Sequence, residues 1–380
     1  MYKSQNLPNT RIDVADALRG IAVVGIILYH SVDHFNTITQ QPIAHTLASD
    51  QTVADVLTWL FSGKMYGIFA MLFGLSFFIM NDNQQQKGKS FAGRFVWRMC
   101  LLFFLGVVNT VFYDGDILMF YACYGLLLIP ISYLPSRWVW CIIALLAIQP
   151  VELFCLLTGA TIDHSAMWEM YAKLTSAHQS GTFLENALTN LRYGFVEILR
   201  YNVYSGRLTQ LLCLFILGMQ LGRHRMFYNE GHNIKIWHRI LISSLVVIVL
   251  GLVDFGPLHT WLTPIYNLAI LLMIVSLIVS AWYASERVRR LLRHLCLFGR
   301  MSLTNYLVQS IIGCAIFCGY GLACYHLLGI TYAVMLGCGM VVCQYLFARY
   351  WFFAGQSGKA ERSSHPRGPL EGLWRKLTWI

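Results

Sequence analysis

Charged residues are scarce in this chain. Only 12% of its 380 residues are Asp, Glu, Lys or Arg, against 57% hydrophobic, where a soluble domain carries about a quarter charged. That shortage excludes an ordinary soluble enzyme and points to a polytopic membrane protein. Cys-x-x-Cys pairs are also missing. The eleven cysteines fall mostly inside apolar runs as small hydrophobic filler, so neither a disulfide framework nor a cysteine metal site is expected. No cleavable leader is evident, because the first apolar run is charged and lacks a small-residue cleavage site; it is expected to stay as a span. The pattern gives no support to a β-barrel, whose strands are short and alternating. No internal repeat is visible, so the inverted-repeat mark of many secondary transporters is lacking.

What is present is a series of long apolar runs, near 15–33, 54–80, 95–113, 117–134, 138–158, 203–221, 238–254, 261–283, 302–320 and 331–353. Each is long enough to cross roughly 30 Å of hydrocarbon. The formal charge of +10 would suggest nucleic acid in a soluble domain, but here the basic residues cluster in alternate loops. Lys87, Lys89, Arg94 and Arg98 follow the second run, Arg223, Arg225, Lys235 and Arg239 the sixth, and Arg287, Arg289, Arg290, Arg293 and Arg300 the eighth. By the positive-inside rule both termini are cytoplasmic and the span count is even. The expected fold is an all-α membrane bundle of about ten transmembrane helices over residues 1–353, followed by a cytoplasmic tail, 354–380. Its surroundings are the lipid bilayer, with no nucleic-acid partner; oligomerisation is left open. Two stretches suit interfaces. The end of the outer loop 159–202, NALTNLRYGFVEILRYN, suits an amphipathic helix at the outer surface or an ordinary helix covering the bundle. The closing GPLEGLWRKLTW suits a cytoplasmic anchor.

The first run carries Asp16, Arg19, His30, Asp33 and His34. At about 100° per residue Arg19 and His30 share a helical face, with their heads on the order of 16 Å apart. Ionisable groups aligned along one stripe of a membrane helix imply a polar interior. Asp16 and Arg19 suit a structural ion pair, or Arg19 can meet the phosphates of a cytoplasmic donor. His30, near the outer end, suits a general base that Asp33 or His34 would orient, or a hydrogen-bonded packing histidine. His30, Asp33 and His34 have metal-ligand spacing but no open-site partner is evident, and no metal is expected.

Four further groups stand out. Lys64, within LFSGKMYGIFAMLFG, must snorkel or join the polar interior, and Gly63, Gly67 and Gly74 allow a close helix neighbour. Asp114 and Asp116 flank Gly115 in a tight outer turn with Asn109 one to two turns below. They read as acid and base or acceptor site, or as a solvated turn. Arg207 and Gln210 sit in the sixth run, where Arg207 is expected to pair with Asp114, Asp116 or Glu197. Ser302, Asn305 and Gln309 make a polar stripe that either bonds between helices or lines a cavity.

Several stretches have a family look: RIDVADALRGIAVVGIILYH, the Gly-Lys-Met-Tyr-Gly-Ile-Phe run ending in MLFG, YDGDIL-x-x-YA-x-x-G, GRMSLTNYLVQS and GPLEGLWR. They resemble, over nearly the whole chain, the YeiB-like family of bacterial inner-membrane proteins, a domain of unknown function. That family is related to transmembrane acyltransferases: the acyltransferase-three proteins that acylate surface glycans, and heparan glucosaminide acetyltransferase. The acyltransferase-three proteins carry an Arg and a His with ten residues between them on the first helix, which Arg19 and His30 match. YeiB-like members usually have Asn where this chain has His30 and often His where it has Asn109. The resemblance implies a multi-pass inner-membrane protein. It implies transfer from cytoplasmic acyl-CoA, held near Arg19 and Asp16, to an unknown extracytoplasmic acceptor. His30, Asp33 and Asp116 would do the chemistry, with Lys64, Asn109, Asp114, Arg207, Gln210, Asn305 and Gln309 along the cavity. The rivals are a transporter or flippase for a small anion or lipid-linked precursor, and a scaffold without activity.

Overall fold

The computed structural model describes residues 11–33, 43–159, 165–253, 255–353 and 367–378. The described chain is helical; its one β-bridge joins His45 and Leu328. In chain order the helices are α1 (Asp13–Asp33), α2 (Asp50–Phe61), α3 (Met65–Gln85), α4 (Ala92–Thr110), α5 (Leu118–Ser132), α6 (Ser136–Ala147), α7 (Pro150–Thr158), α8 (Ser165–Ser180), α9 (Phe183–Thr189), α10 (Phe195–Tyr204), α11 (Arg207–Arg223), α12 (Asn233–Leu250), α13 (His259–Ala284), α14 (Glu286–Arg300), α15 (Ser302–Phe317), α16 (Ile330–Phe353) and α17 (Pro369–Thr378).

Among the described residues six helices are long and apolar enough to cross a membrane, or seven if α6 and α7, bent by 44°, count as one. The expected ten spans are therefore not reached. The run read as 117–134 contains a helix of 15 residues, that at 302–320 one of 16, and that at 203–221 one of 17. At about 1.5 Å per residue these rise roughly 22–26 Å, short of a full hydrocarbon core. Hydropathy ran on through the turns: the 203–221 run straddles the break at Gly206, where φ is +68°.

Two backbone contacts organise the bundle. Gly74 of α3 faces the backbone of Phe215 and Met219, and Gly218 of α11 faces that of Met71. Gly20 of α1 lies against the backbone of Leu295, and Gly299 of α14 against Asp16. Each pair uses two glycines, one from each helix, so that both backbones approach without a side chain between them. Leu211, Leu214, Phe215 and Met219 of α11, with Ile68, Met71 and Leu72 of α3, are fully buried around the first contact.

The segment between α7 and α11 folds back over the bundle as α8, α9 and α10, with a π-type turn at Asn190–Gly194. Phe195 stacks on Phe120 of α5, centroids 4.8 Å apart, so the amphipathic stretch covers helices of the bundle. The C-terminal α17 is packed on the bundle as well. Glu371 accepts from the backbone N–H groups of Leu303 (2.8 Å) and Thr304 (3.0 Å) and from Thr304 Oγ1 (2.7 Å), satisfying orphan donors at the start of α15. Trp97 Nε1 donates to the Leu377 carbonyl at 2.9 Å.

Gly218→Leu is expected to lower the stability of the detergent-solubilised protein by about 1–3 kcal/mol or to prevent folding, because the α11 backbone loses its seat on α3. Gly93→Ala, where an added Cβ meets nothing within 4 Å, is expected to leave thermal unfolding unchanged or slightly raised. Equal shifts in the two variants would contradict the packing account.

Candidate functional site

Helix α3 is two-faced. Gly67, Met71 and Gly74 turn to the buried contact with α11 and α13. Tyr66, Phe69, Phe73, Ser76 and Met80, spaced by three and four residues, line two cavities stacked along the other face. One cavity, of about 400 Å³, lies at the His30 end of α1. The second, of about 220 Å³, lies at the end where Ser76, Arg98, Ser302 and Trp374 converge. Ile26, Tyr66, Ile117 and Tyr306 belong to both walls, so one thin partition separates the two spaces.

His30 stands in the last turn of α1 and faces the larger cavity. Its Nδ1 lies 3.2 Å from Gln309 Nε2 and its Nε2 3.3 Å from Tyr113 Oη. The Tyr113 ring is tilted against the imidazole at 5.0 Å. These groups hold both ring nitrogens at defined partners, and the orientation of the Gln309 amide decides which nitrogen carries the proton. The side chain of Asp33 and all of His34 lie outside the described residues; Tyr113 and Gln309 orient the imidazole. Asp114 and Glu197 line the same cavity.

Arg207 opens α11 after the left-handed Gly206 and also lines the larger cavity. Its guanidinium lies over the rings of Tyr201 (4.7 Å) and Tyr66 (5.2 Å), and Nη2 donates to Ser62 Oγ at 3.2 Å. Stacking between rings keeps a cation in an apolar place at modest cost. The Tyr66 hydroxyl is buried and has no hydrogen-bond partner among the described residues.

Asp116 is fully buried in the turn between α4 and α5, and does not line either cavity. It accepts from Asn109 Nδ2 (2.8 Å), from the Leu118 N–H (2.9 Å) and from Tyr306 Oη (3.2 Å). Burial pushes its carboxyl up from 3.8 to about 7, with those hydrogen bonds pulling the other way. Asp116 thus acts on the partition residue Tyr306 and is not set against His30. Asn109 is spent on Asp116.

At the smaller cavity, Arg19 Nη1 meets Asp16 Oδ1 at 2.8 Å and Nη2 donates to Ser76 Oγ at 2.7 Å. Arg11 takes the other Asp16 oxygen at 2.6 Å. Arg19 therefore holds a wall residue, while the cation in the wall itself is Arg98. Five residues expected along the cavity are in neither lining: Asn109, which donates to Asp116, Gln309, which meets His30, and Lys64, Gln210 and Asn305. Lys64 is buried at the start of α3 outside either lining. Gln210 donates to the Pro264 carbonyl at 2.8 Å. Asn305 is buried, its carbonyl accepting from Gln344 Nε2 at 3.5 Å. Sequence reasoning missed Tyr66, Tyr113 and Tyr306 as site residues and read Arg98 as topology alone. Tyr66 and Tyr306 share the faces of Ser76 and Gln309, which was the available signal.

Comparison with known proteins gives two family matches. Residues 221–380 match the protein family of unknown function DUF418, and residues 11–180 match the catalytic domain of heparan-alpha-glucosaminide N-acetyltransferase. The uncharacterized protein YxaH of Bacillus subtilis is 25% identical over 98% of this chain and 96% of its own length. An uncharacterized 39.9 kDa protein from the amylase 3' region of Bacillus acidopullulyticus is 25% identical over 97% and 94%. The uncharacterized protein YeiB of Escherichia coli is 22% identical over 96% and 95%. No solved structure gives a significant match. The chain is thus similar over nearly its whole length to uncharacterized bacterial proteins that include YeiB, in its C-terminal part to DUF418, and in its N-terminal part to an N-acetyltransferase catalytic domain.

Proposed function

We propose that the protein is a membrane-embedded acyltransferase that moves an acyl group from acyl-CoA on the cytoplasmic side to a hydroxyl or amine presented from the outer side. The observation that carries this reading is a histidine with both ring nitrogens engaged, facing one cavity that backs onto a second through a shared partition. The match of residues 11–180 to an N-acetyltransferase catalytic domain supports the chemistry. The smaller cavity lies at the end of the bundle with the basic loops, which the positive-inside rule assigns to the cytoplasm together with both termini.

With the Gln309 amide oxygen turned to Nδ1, the Nδ1 proton is held there and Nε2 is the base. Nε2 takes the acceptor's proton as its oxygen or nitrogen attacks the thioester carbonyl carbon. The carbonyl electron pair moves onto oxygen, where the Tyr66 hydroxyl and the Arg207 guanidinium stabilise it. Collapse of that intermediate breaks the carbon–sulfur bond. The departing CoA thiolate takes the proton from the imidazolium. Net, one acyl group and one proton exchange places. Tyr306, held by Asp116, separates the outer space from the donor side until the thioester is in place.

Release of CoA thiol from acetyl-CoA by purified protein tests the reading. His30→Ala is expected to cut the rate by about 10²–10⁴. Arg19→Ala is expected to raise the donor KM more than it lowers kcat, because it frees the Ser76 wall. Equal turnover in all three proteins would remove both residues from the mechanism. Anion flux into proteoliposomes with no acylated product would replace transfer by transport.

The partition carries its own pH signature. Folding raises the Asp116 carboxyl from 3.8 to about 7, so the folded state holds an extra proton between those values. Its contribution to stability is therefore largest below about pH 4, falls as pH rises toward about 7, and is level above. Asp116→Asn is expected to flatten that part of the curve of unfolding temperature against pH. An unchanged slope would show that Asp116 is ionised throughout.

A further inference from the structure

Among the residues lining the smaller cavity, Arg98 alone is charged. Phe69, Phe73, Phe95, Met99 and Leu102 make its body, while Arg98 and Trp374 stand together at the end where α4 meets α17. Arg98 Nη1 donates to Thr378 Oγ1 at 3.1 Å and its guanidinium lies 5.5 Å from the centre of the Trp374 ring. Its Nε is buried and has no hydrogen-bond partner among the described residues. The nearby start of α15 is not open to an anion, because Glu371 already takes the N–H groups of Leu303 and Thr304. Arg98 is the cation at this end.

We propose that the smaller cavity binds a ligand with an anionic head and a slim arm, the head on Arg98 and Trp374 of α17 closing over it. A guanidinium in an otherwise uncharged wall is matched by a phosphate or carboxylate oxygen, which forms a charge-assisted bond stronger than a neutral one. The mostly aromatic and sulfur-bearing walls take a slim arm, with the hydroxyls of Ser76, Tyr66 and Tyr306 among them. The arm ends at Tyr66 and Tyr306, the partition shared with the His30 cavity. Two sources offer an anionic head on a slim arm: a coenzyme A donor, whose amide-bearing pantetheine arm would then reach the partition, and a single-chain anionic lipid from the bilayer. Only the first rests on the acyl-transfer reading; the site itself does not.

The test is binding of coenzyme A and, separately, of lysophosphatidate to the purified full-length protein, measured by isothermal titration in one detergent. The proteins are wild type, Arg98→Ala, Arg98→Lys, Leu102→Trp and His30→Ala. Wild type is expected to bind one of the two probes. Arg98→Ala should weaken that probe at least tenfold, with Arg98→Lys recovering part of the loss. Leu102→Trp, which fills the body of the cavity, should abolish binding, and His30→Ala should leave it unchanged. Binding of lysophosphatidate alone identifies the lipid source and separates this site from the transfer reaction. Binding of coenzyme A with no thiol release from acetyl-CoA would keep the site and sink the reaction. If neither probe binds folded wild type, or if Arg98→Ala binds like wild type, the proposal is wrong. Should Leu102→Trp fail to fold, the two Arg98 variants decide alone.

Discussion

An ionised or hydrogen-bonding side chain inside a membrane must be answered from within the protein, since lipid offers no partner. In this chain the answers come from helices far apart in sequence. Asp16 holds Arg11 and Arg19 together, and Arg19 passes the connection on to Ser76 of α3. Arg207 is sandwiched between Tyr66 and Tyr201 and reaches Ser62. His30 is met by Tyr113 from the turn after α4 and by Gln309 from α15. Each polar group thus fixes the relative position of two or three helices, so the polar path beside α1 and the packing of the bundle specify each other.

Close glycine contacts explain where the empty space goes. Helices α3 and α11 meet backbone to backbone at Gly74 and Gly218, and α1 and α14 do so at Gly20 and Gly299. Volume is thereby withdrawn from one side of α1 and α3. On the opposite side the large residues Phe69, Phe73 and Tyr306 face a space of about 220 Å³ between α3, α4 and α15, and Tyr66 and Tyr306 also face the space of about 400 Å³ beside it. The cavities follow from asymmetry in residue size across single helices, with no gap in an otherwise uniform core.

Much of this was legible before any coordinates, and the limits have physical causes. The Asp16–Arg19 pair and the inward placement of His30 follow from helical periodicity alone, because both partners sit on one helix. Gly74 was readable as a close-approach point, but not its partner Gly218, which is nearly 150 residues on. Asp116 was expected beside His30 on the strength of its place in an outer turn. Burial among three donors instead ties it to Tyr306. The tyrosines of the site were hidden among 20 in the chain. Nothing in a single sequence tells which phenol has a cavity in front of it. Ten runs were counted because hydropathy sums through turns that break the helix, as at Gly206, whereas six or seven helices among the described residues are long enough to span.

Helix α15 links features that the sequence leaves separate. Its first turn presents the N–H groups of Leu303 and Thr304 to Glu371 of the C-terminal helix. One turn on, Tyr306 stands in the partition with its hydroxyl on Asp116. Another turn on, Gln309 meets the imidazole of His30. Three contacts spaced by three residues on one 16-residue helix move together if that helix shifts along or about its axis, since a helix transmits displacement as a rod rather than absorbing it. The seating of the C-terminal segment at one end of the bundle and the orientation of the candidate base at the other are therefore set by the same element. This is why a tail that never touches His30 belongs to the description of the His30 site.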